Sequence, residues 1–319
     1  MALGEFELIE RYFTRPVRRA ALGVGDDCAL LQLRPGMQLA TSTDLLIEGR
    51  HFLSTVAPER LGHKALAVNL SDLAACGAEP LGFTLSLALP VADAAWLERF
   101  SQGLFALADA HGCELVGGDT TRGPLAVNVS IFGEVPTGQA LLRSGARTGD
   151  DVYVSGTLGD ARLALEAFRG GLVLPGDAFQ RVRVALEQPQ PRVALGLALR
   201  GLATSAIDVS DGLAGDLAHV LRRSGVGATL RLDALPRSEV LTAQPETWQR
   251  QCLLSGGDDY ELLFTAPAHR RDAVQAAAES ACVPVSRIGA IEPEPGLRLV
   301  DGRGHPVEWQ LSGFDHFRT

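Results

Sequence analysis

Between residues 58 and 119 the spacing of apolar side chains switches repeatedly between a helical and a strand period, and that alternation restricts the chain to helices packed against sheet. The segment "PERLGHKALAVNLSDLAACG" (58–77) opens with a proline suited to a first helical turn and ends at Gly77, a natural C-cap. Leu61, Ala65, Val68 and Leu73 share the side of this helix that can face a core. "GFTLSLAL" (82–89) then alternates strictly, with Phe83, Leu85, Leu87 and Leu89 on one face of a strand. A helix over 93–111 and a strand ending in "ELVGGD" (114–119) follow.

The same reading predicts a short amphipathic helix over 4–14, a strand over "MQLATSTD" (37–44) and another over 125–135. "RSGARTGDDVYVSG" (143–156) interrupts the pattern with polar and glycine residues before "DVYVSG" resumes it, which marks a crossing into a second domain. The expected domains are therefore 1–142 and 143–319, and 319 residues suffice for two cores. Beyond the crossing, helices are expected near 159–169, 192–202 and 211–224, with strands near 205–209, 228–233, 260–266, 285–291 and 297–300. The fold class is α/β, mixed α+β, in two halves. No tandem repeat or low-complexity segment is present, and 170–190 carries no motif.

A formal charge of −9 and a pI near 5.3 argue against a nucleic-acid surface, which needs clustered Lys and Arg. An acidic chain still binds polyphosphates when divalent cations stand between the two sets of negative charge. Five scattered cysteines with no CxxC pair predict neither a disulfide framework nor structural zinc, and fit a reducing cytoplasm. The acidic N-terminus lacks the apolar run of a signal peptide, and no segment approaches the ~20 apolar residues needed to span a bilayer.

The chemistry lies in the acids. Asp26, Asp27, Asp44, Asp72, Asp119, Asp208, Asp211, Asp258 and Asp259 all sit in short stretches rich in Gly, Ser or Thr, mostly at expected strand ends or helix starts. Gathered in one cleft without counter-ions, each pair ~4 Å apart repels by roughly 1–4 kcal/mol. A handful of such pairs rivals the ~5–15 kcal/mol stability of a domain. Either the acids are dispersed or cations hold them together, and Mg²⁺, a hard ion that prefers few carboxylates plus phosphates, is the natural choice. No HExxH, paired histidines or clustered cysteines offer a softer metal a home.

Taken singly, "GVGDD" reads equally as a turn, Asp72 as a solvated helical acid, Arg143 and Arg147 as surface charges, and His51 as a structural histidine; spacing gives His111 no role. "VGGDTTRG" and "AIDVSDGLAGDL" are more specific, since paired glycines and a helix N-terminus both favour an approaching anion. "LSGGDDYEL" (254–262) repeats the theme before a strand. Neither a P-loop nor a Rossmann fingerprint occurs. In "GVGDDC", Asp26 is the weaker candidate of the two acids, and Cys28 is read as a buried small apolar residue.

In order, "GEFELI", "GVGDDCALL", "STDLLIEGRHF", "KALAVNLSDLAACGAEP", "GGDTTRGP", "RSGARTGD", "AIDVSDGLAGDL", "LSGGDDYELLFT" and "GFDHF" resemble the thiamine-monophosphate kinases, of the aminoimidazole ribonucleotide synthetase superfamily. The resemblance runs from residue 4 to residue 317. It implies ATP-dependent phosphorylation of thiamine monophosphate to thiamine diphosphate in the cytoplasm. It further implies a homodimer whose N-terminal domains form a β-barrel, a C-terminal α/β domain, and several Mg²⁺ ions with the nucleotide in a cleft. Carried over by motif, the metal ligands are Asp27, Ser42, Thr43, Asp44, Asp72, Asp119, Asp208 and Asp211. The ATP contacts are Gly118, Asp119, Arg143, Ser210 and His111, and the thiamine contacts are His51, Asp258 and Phe314. Two positions depart from the family, which commonly has Glu at 258 and Tyr at 111. The alternatives are another ATP-using member of the superfamily, of the selenophosphate synthetase or amide- or carbamoyl-activating type, and a non-catalytic nucleotide-binding scaffold. No cysteine precedes Cys28 to serve selenophosphate chemistry, and the chain ends "GFDHFRT" rather than in a Pro-Arg-Ile-Cys tail.

Overall fold

A computed structural model describes residues 4–308. The chain forms two compact units, one built from the residues up to Leu73 with Ala78–Gly138, the other from Ala74–Gly77 with the residues from Gln139 onward.

In the first unit the order is α1 (Glu5–Tyr12), β1 (Met37–Ile47), α2 (Pro58–Ala75), β2 (Glu79–Leu89), α3 (Ala94–Ala110), β3 (Glu114–Arg122) and β4 (Ala126–Pro136). The four strands make one sheet in the order β1-β4-β2-β3, antiparallel except for the parallel β2–β3 pair that α3 connects. Leu61, Ala65, Val68 and Leu73 of α2 are buried as their spacing requires, and so are Leu66, Ala67 and Leu70. This helix is thus buried nearly all round, Lys64, Asn69 and Ser71 included, and sits inside its unit. Asp93 caps α3 by accepting from the main-chain N–H groups of Ala95 and Trp96. Gly103 of α3 lets that helix touch α2, since a Cβ there would stand 1.8 Å from the Glu59 carbonyl oxygen.

Strand β1 alternates cleanly. Ser42, Asp44 and Leu46 lie on its more buried face, while Thr43, Leu45 and Ile47 lie on the exposed one. It runs three residues past the expected end because Leu45, Leu46 and Ile47 continue the alternation and pair with Asn128, Val127 and Ala126.

The second unit contains β5 (Asp150–Ser155), α4 (Asp160–Phe168), α5 (Gly176–Glu187), α6 (Val193–Ala198), β6 (Ser205–Asp208), α7 (Leu213–Ser224), β7 (Gly227–Arg231), α8 (Glu239–Thr242), α9 (Glu246–Ser255), β8 (Leu262–Pro267), α10 (Arg271–Ser280), β9 (Val285–Glu292) and β10 (Gly296–Val300). Its sheet has the order β10-β7-β9-β5-β8-β6. β5, whose six residues are all buried, is a central strand. Helices α8, α9 and α10 are absent from the sequence reading, α5 falls in the helix and loop expected near 170–190, and the helix expected over 192–202 ends at Ala198. Both sheets are open among the described residues, and no helix there is long and apolar enough to cross a membrane.

Candidate active site

In the first unit, the inward face of β1 and the middle of α2 bring three of the expected ligands together. The Ser42 hydroxyl donates to Asp72 Oδ2 at 2.5 Å. Asp44, two residues along the strand and so on the same face, shares a hydrogen bond with Asp72. Burial, then the negative charge of Asp72, then that hydrogen bond push the Asp44 carboxyl up to about 7. Two carboxyl groups half withdrawn from water and pressed together need either a proton or a cation between them. A hard cation fits this donor set of two carboxylates and a hydroxyl. Thr43 belongs elsewhere: its hydroxyl pairs with Ser130 Oγ at 2.9 Å and accepts from Asn128 Nδ2 at 3.1 Å, on the opposite side of the strand.

This acid pair sets a pH dependence. The folded Asp44 holds its proton to about pH 7, whereas an unfolded aspartate releases it near the ordinary value of 3.8, so the metal-free fold loses stability as pH rises between those limits. A cation would replace the missing proton. Mg²⁺ is therefore expected to raise the melting temperature more at pH 8 than at pH 6, as thermal melts at both pH values with and without the ion will show; an equal rise at both would remove the pair as the binding locus.

Asp27 lies exposed in the loop closed by the Leu22–Leu30 bridge. Asp119 is exposed on β3. Among the described residues, no group of three or more His, Cys, Asp or Glu stands in a metal-holding arrangement. Cys28 is exposed, not buried, because the loop that carries it turns outward.

His51 is fixed by its turn. Its Nδ1 accepts from the Ile47 main-chain N–H at 3.0 Å, its own N–H donates to the Ile47 carbonyl at 3.0 Å, and the buried Lys64 ammonium donates to its carbonyl at 3.1 Å. With Nδ1 accepting, the neutral ring carries its proton on Nε2 and presents a donor there. His111 is the C-cap of α3, where burial and then neighbouring His63 lower its pKa and favour the neutral ring.

In the second unit, Asp208 ends β6 and is buried, and Ser210 and Asp211 follow in the turn to α7. A residue that the sequence reading passed over organises this turn. Asp216 Oδ2, on the first turn of α7, accepts from the main-chain N–H groups of both Ser210 and Asp211 at 3.1 Å. The N–H groups of Ser210 and Asp211 are thus satisfied inside the protein. Burial, then Asp208 and Asp211, raise the Asp216 carboxyl to about 7, despite the two main-chain donors. The signal was the Asp three residues past Leu213 in "SDGLAGDL", a first-turn acid that reaches back to preceding N–H groups. Arg143 is exposed on a segment tied down through Ser224, whose Oγ accepts from the N–H groups of Gly145 and Ala146 at 3.1 and 3.2 Å. Asp258 stands in the loop before β8, and Phe314 lies outside the described residues.

The chain matches two family models, AIR synthase related protein, N-terminal domain, over residues 25–135 and AIR synthase related protein, C-terminal domain, over residues 147–302. It is 47% identical over 327 residues to the thiamine-monophosphate kinase of Salmonella typhimurium, covering the whole of both chains. A crystal structure of thiamine-monophosphate kinase from Stenotrophomonas maltophilia K279a is 48% identical, with a TM-score of 0.84 over 88% of this chain and 91% of that one. A structure of AaThiL complexed with AMPPCP and TMP is 32% identical, with a TM-score of 0.76 over 90% and 89%.

Proposed function

The chain belongs to the thiamine-monophosphate kinases within the AIR synthase related proteins, and from that premise we infer that it transfers the γ-phosphoryl group of ATP to thiamine monophosphate, yielding thiamine diphosphate and ADP. The observation that carries this is the end-to-end match to curated thiamine-monophosphate kinases, supported by the AaThiL structure with AMPPCP and TMP.

The reaction forms a bond between a phosphate oxygen of thiamine monophosphate and the γ-phosphorus, and breaks the γ-phosphorus bond to the bridging oxygen, which leaves with ADP. The attacking oxygen is already anionic, so no strong general base is required. What the protein must supply is alignment and relief of the repulsion between two anions. We read Asp27, Ser42, Asp44, Asp72, Asp119, Asp208 and Asp211 as holding several Mg²⁺ ions, with Thr43 able to contribute only through its main chain. Bound there, Mg²⁺ supplies neutralisation of the phosphate charges. In the same reading Gly118, Asp119, Arg143, Ser210 and His111 contact ATP, and His51, Asp258 and Phe314 contact the thiamine moiety. The Nε2–H of His51 donates to it, on a turn pinned by Ile47 and Lys64.

The proposed assembly is a homodimer in which the first unit's sheet closes a barrel with its copy, with the domains taken as 1–142 and 143–319. Support comes from β1, an eleven-residue edge strand with Leu39, Leu45 and Ile47 at 52%, 50% and 40% exposure, a surface that invites a partner strand. Five cysteines, none of them in a disulfide, accord with a cytoplasmic enzyme.

The deciding experiment incubates the protein with ATP, Mg²⁺ and thiamine monophosphate and quantifies products by chromatography. Thiamine diphosphate and ADP are expected in equal amounts, with none when any component is omitted. ATP consumed without thiamine diphosphate would overturn the assignment.

A further inference from the structure

The loop "GGDDYE" (256–261) carries two of the three non-glycine residues with positive φ among the described residues, Asp258 at 65° and Tyr260 at 51°. Aspartate tolerates this left-handed conformation, but a bulky tyrosine adopts it at a cost. The surroundings enforce it. Asp258 N–H donates to the Ser210 carbonyl at 2.9 Å, Tyr260 N–H to the Val209 carbonyl at 2.8 Å, and Val209 N–H to the Glu261 carbonyl at 2.8 Å. Gly257 lies so close to the same strand end that a Cβ would stand 2.4 Å from the Ser210 carbonyl oxygen.

Alternate side chains anchor the loop to the unit. Asp259 accepts from the Gly159 N–H at 2.9 and 3.1 Å. Glu261, buried, accepts from Ser155 Oγ at 2.5 Å and takes a two-pronged ion pair from Arg192 at 2.5 and 2.7 Å. Between these anchors the Tyr260 hydroxyl donates to Asp258 Oδ1 at 3.1 Å. The two left-handed residues thus meet through a hydrogen bond between their side chains, at the strand end that also carries Ser210 and Asp211.

We propose that Tyr260 is a positioning residue for the acceptor substrate: its enforced backbone and its hydroxyl hold the Asp258 carboxylate in the orientation that engages the thiamine moiety. The proposal rests on the reading of Asp258 as a thiamine contact. It also accounts for the shorter carboxylate at 258, which has less reach than Glu and so depends more on being aimed.

The test is a double-mutant cycle on the full-length protein, measuring KM for thiamine monophosphate, KM for ATP and kcat for Tyr260→Phe, Asp258→Asn and the double variant. Tyr260→Phe is expected to raise KM for thiamine monophosphate about tenfold, the factor of one hydrogen bond to a charged group, with KM for ATP unmoved. In the Asp258→Asn background the same change should add little. Tyr260→Asn, which accepts the left-handed backbone but cannot reach as the phenol does, should repeat the loss and guards against a folding artefact of the Phe variant. If Asp258→Asn raises KM while Tyr260→Phe leaves it unchanged, or if the two effects simply add, the positioning role is overturned. If Asp258→Asn itself leaves KM unchanged, the thiamine-contact reading fails and the proposal falls with it.

Discussion

Asp72→Asn is expected to lower turnover by about 10³-fold, the order lost when a group that stabilises transferring charge is removed, while leaving the fold intact. Asparagine has the same shape and can still accept from Ser42 Oγ, so the contact between α2 and β1 survives. What disappears is the negative charge that Asp72 sets against Asp44. The melting temperature of the metal-free variant should therefore equal or exceed that of the parent, because the repulsion that burdens Asp44 is gone. Steady-state kinetics over a Mg²⁺ titration, paired with thermal melts, separates the outcomes. Turnover within tenfold of the parent at saturating Mg²⁺ would show that Asp72 has no part in phosphoryl transfer. A low melting temperature together with low turnover would make it a structural residue.

The first unit was the more legible half because its elements obey simple periods. Phe83, Leu85, Leu87 and Leu89 alternate without exception, and all four are buried. The second unit hides its helices. α10, "RDAVQAAAES", buries Val274, Ala277 and Ala278, side chains of little apolar bulk, and α9, "ETWQRQCLLS", offers only Trp248 to the core before its last turn. β8 begins at Leu262 rather than 260, because Tyr260 is left-handed and cannot continue a strand, and nothing in the identity of a tyrosine announces that.

The acid motifs were legible as motifs but only partly as geometry. Ser42 and Asp44 are two apart on a strand and must share a face, and the same rule sends Thr43 to the other side; the rule was available from the sequence once β1 was recognised. That Asp72 meets them depends on how α2 packs on the sheet, which no local pattern encodes. Asp216 was overlooked because a first-turn acid usually reads as a favourable charge near the helix dipole rather than as the acceptor that closes the preceding turn.

Gly118→Ala is expected to cost about 3 kcal/mol or more, as forced overpacking on a strained backbone does. Gly118 pairs with Leu85 across the parallel β2–β3 ladder, and a Cβ there would stand 1.9 Å from the Leu85 carbonyl oxygen and 3.0 Å from its nitrogen. Both neighbours are main chain and cannot swing aside, so the strands must separate at the point from which Asp119 projects. A fall in melting temperature of roughly 10 °C follows, together with lost affinity for a non-hydrolysable ATP analogue, read by calorimetry. Gly36→Ala supplies the control: its φ of 79° is also unfavourable for alanine, but no atom lies within 4 Å of the added Cβ. That variant isolates the dihedral cost of about 1 kcal/mol. If Gly118→Ala melts no lower than Gly36→Ala and still binds the analogue, the close approach of β2 and β3 does not set the position of Asp119. The larger loss at Gly118 would instead assign the paired glycines of "VGGD" to strand contact first and to anion approach second.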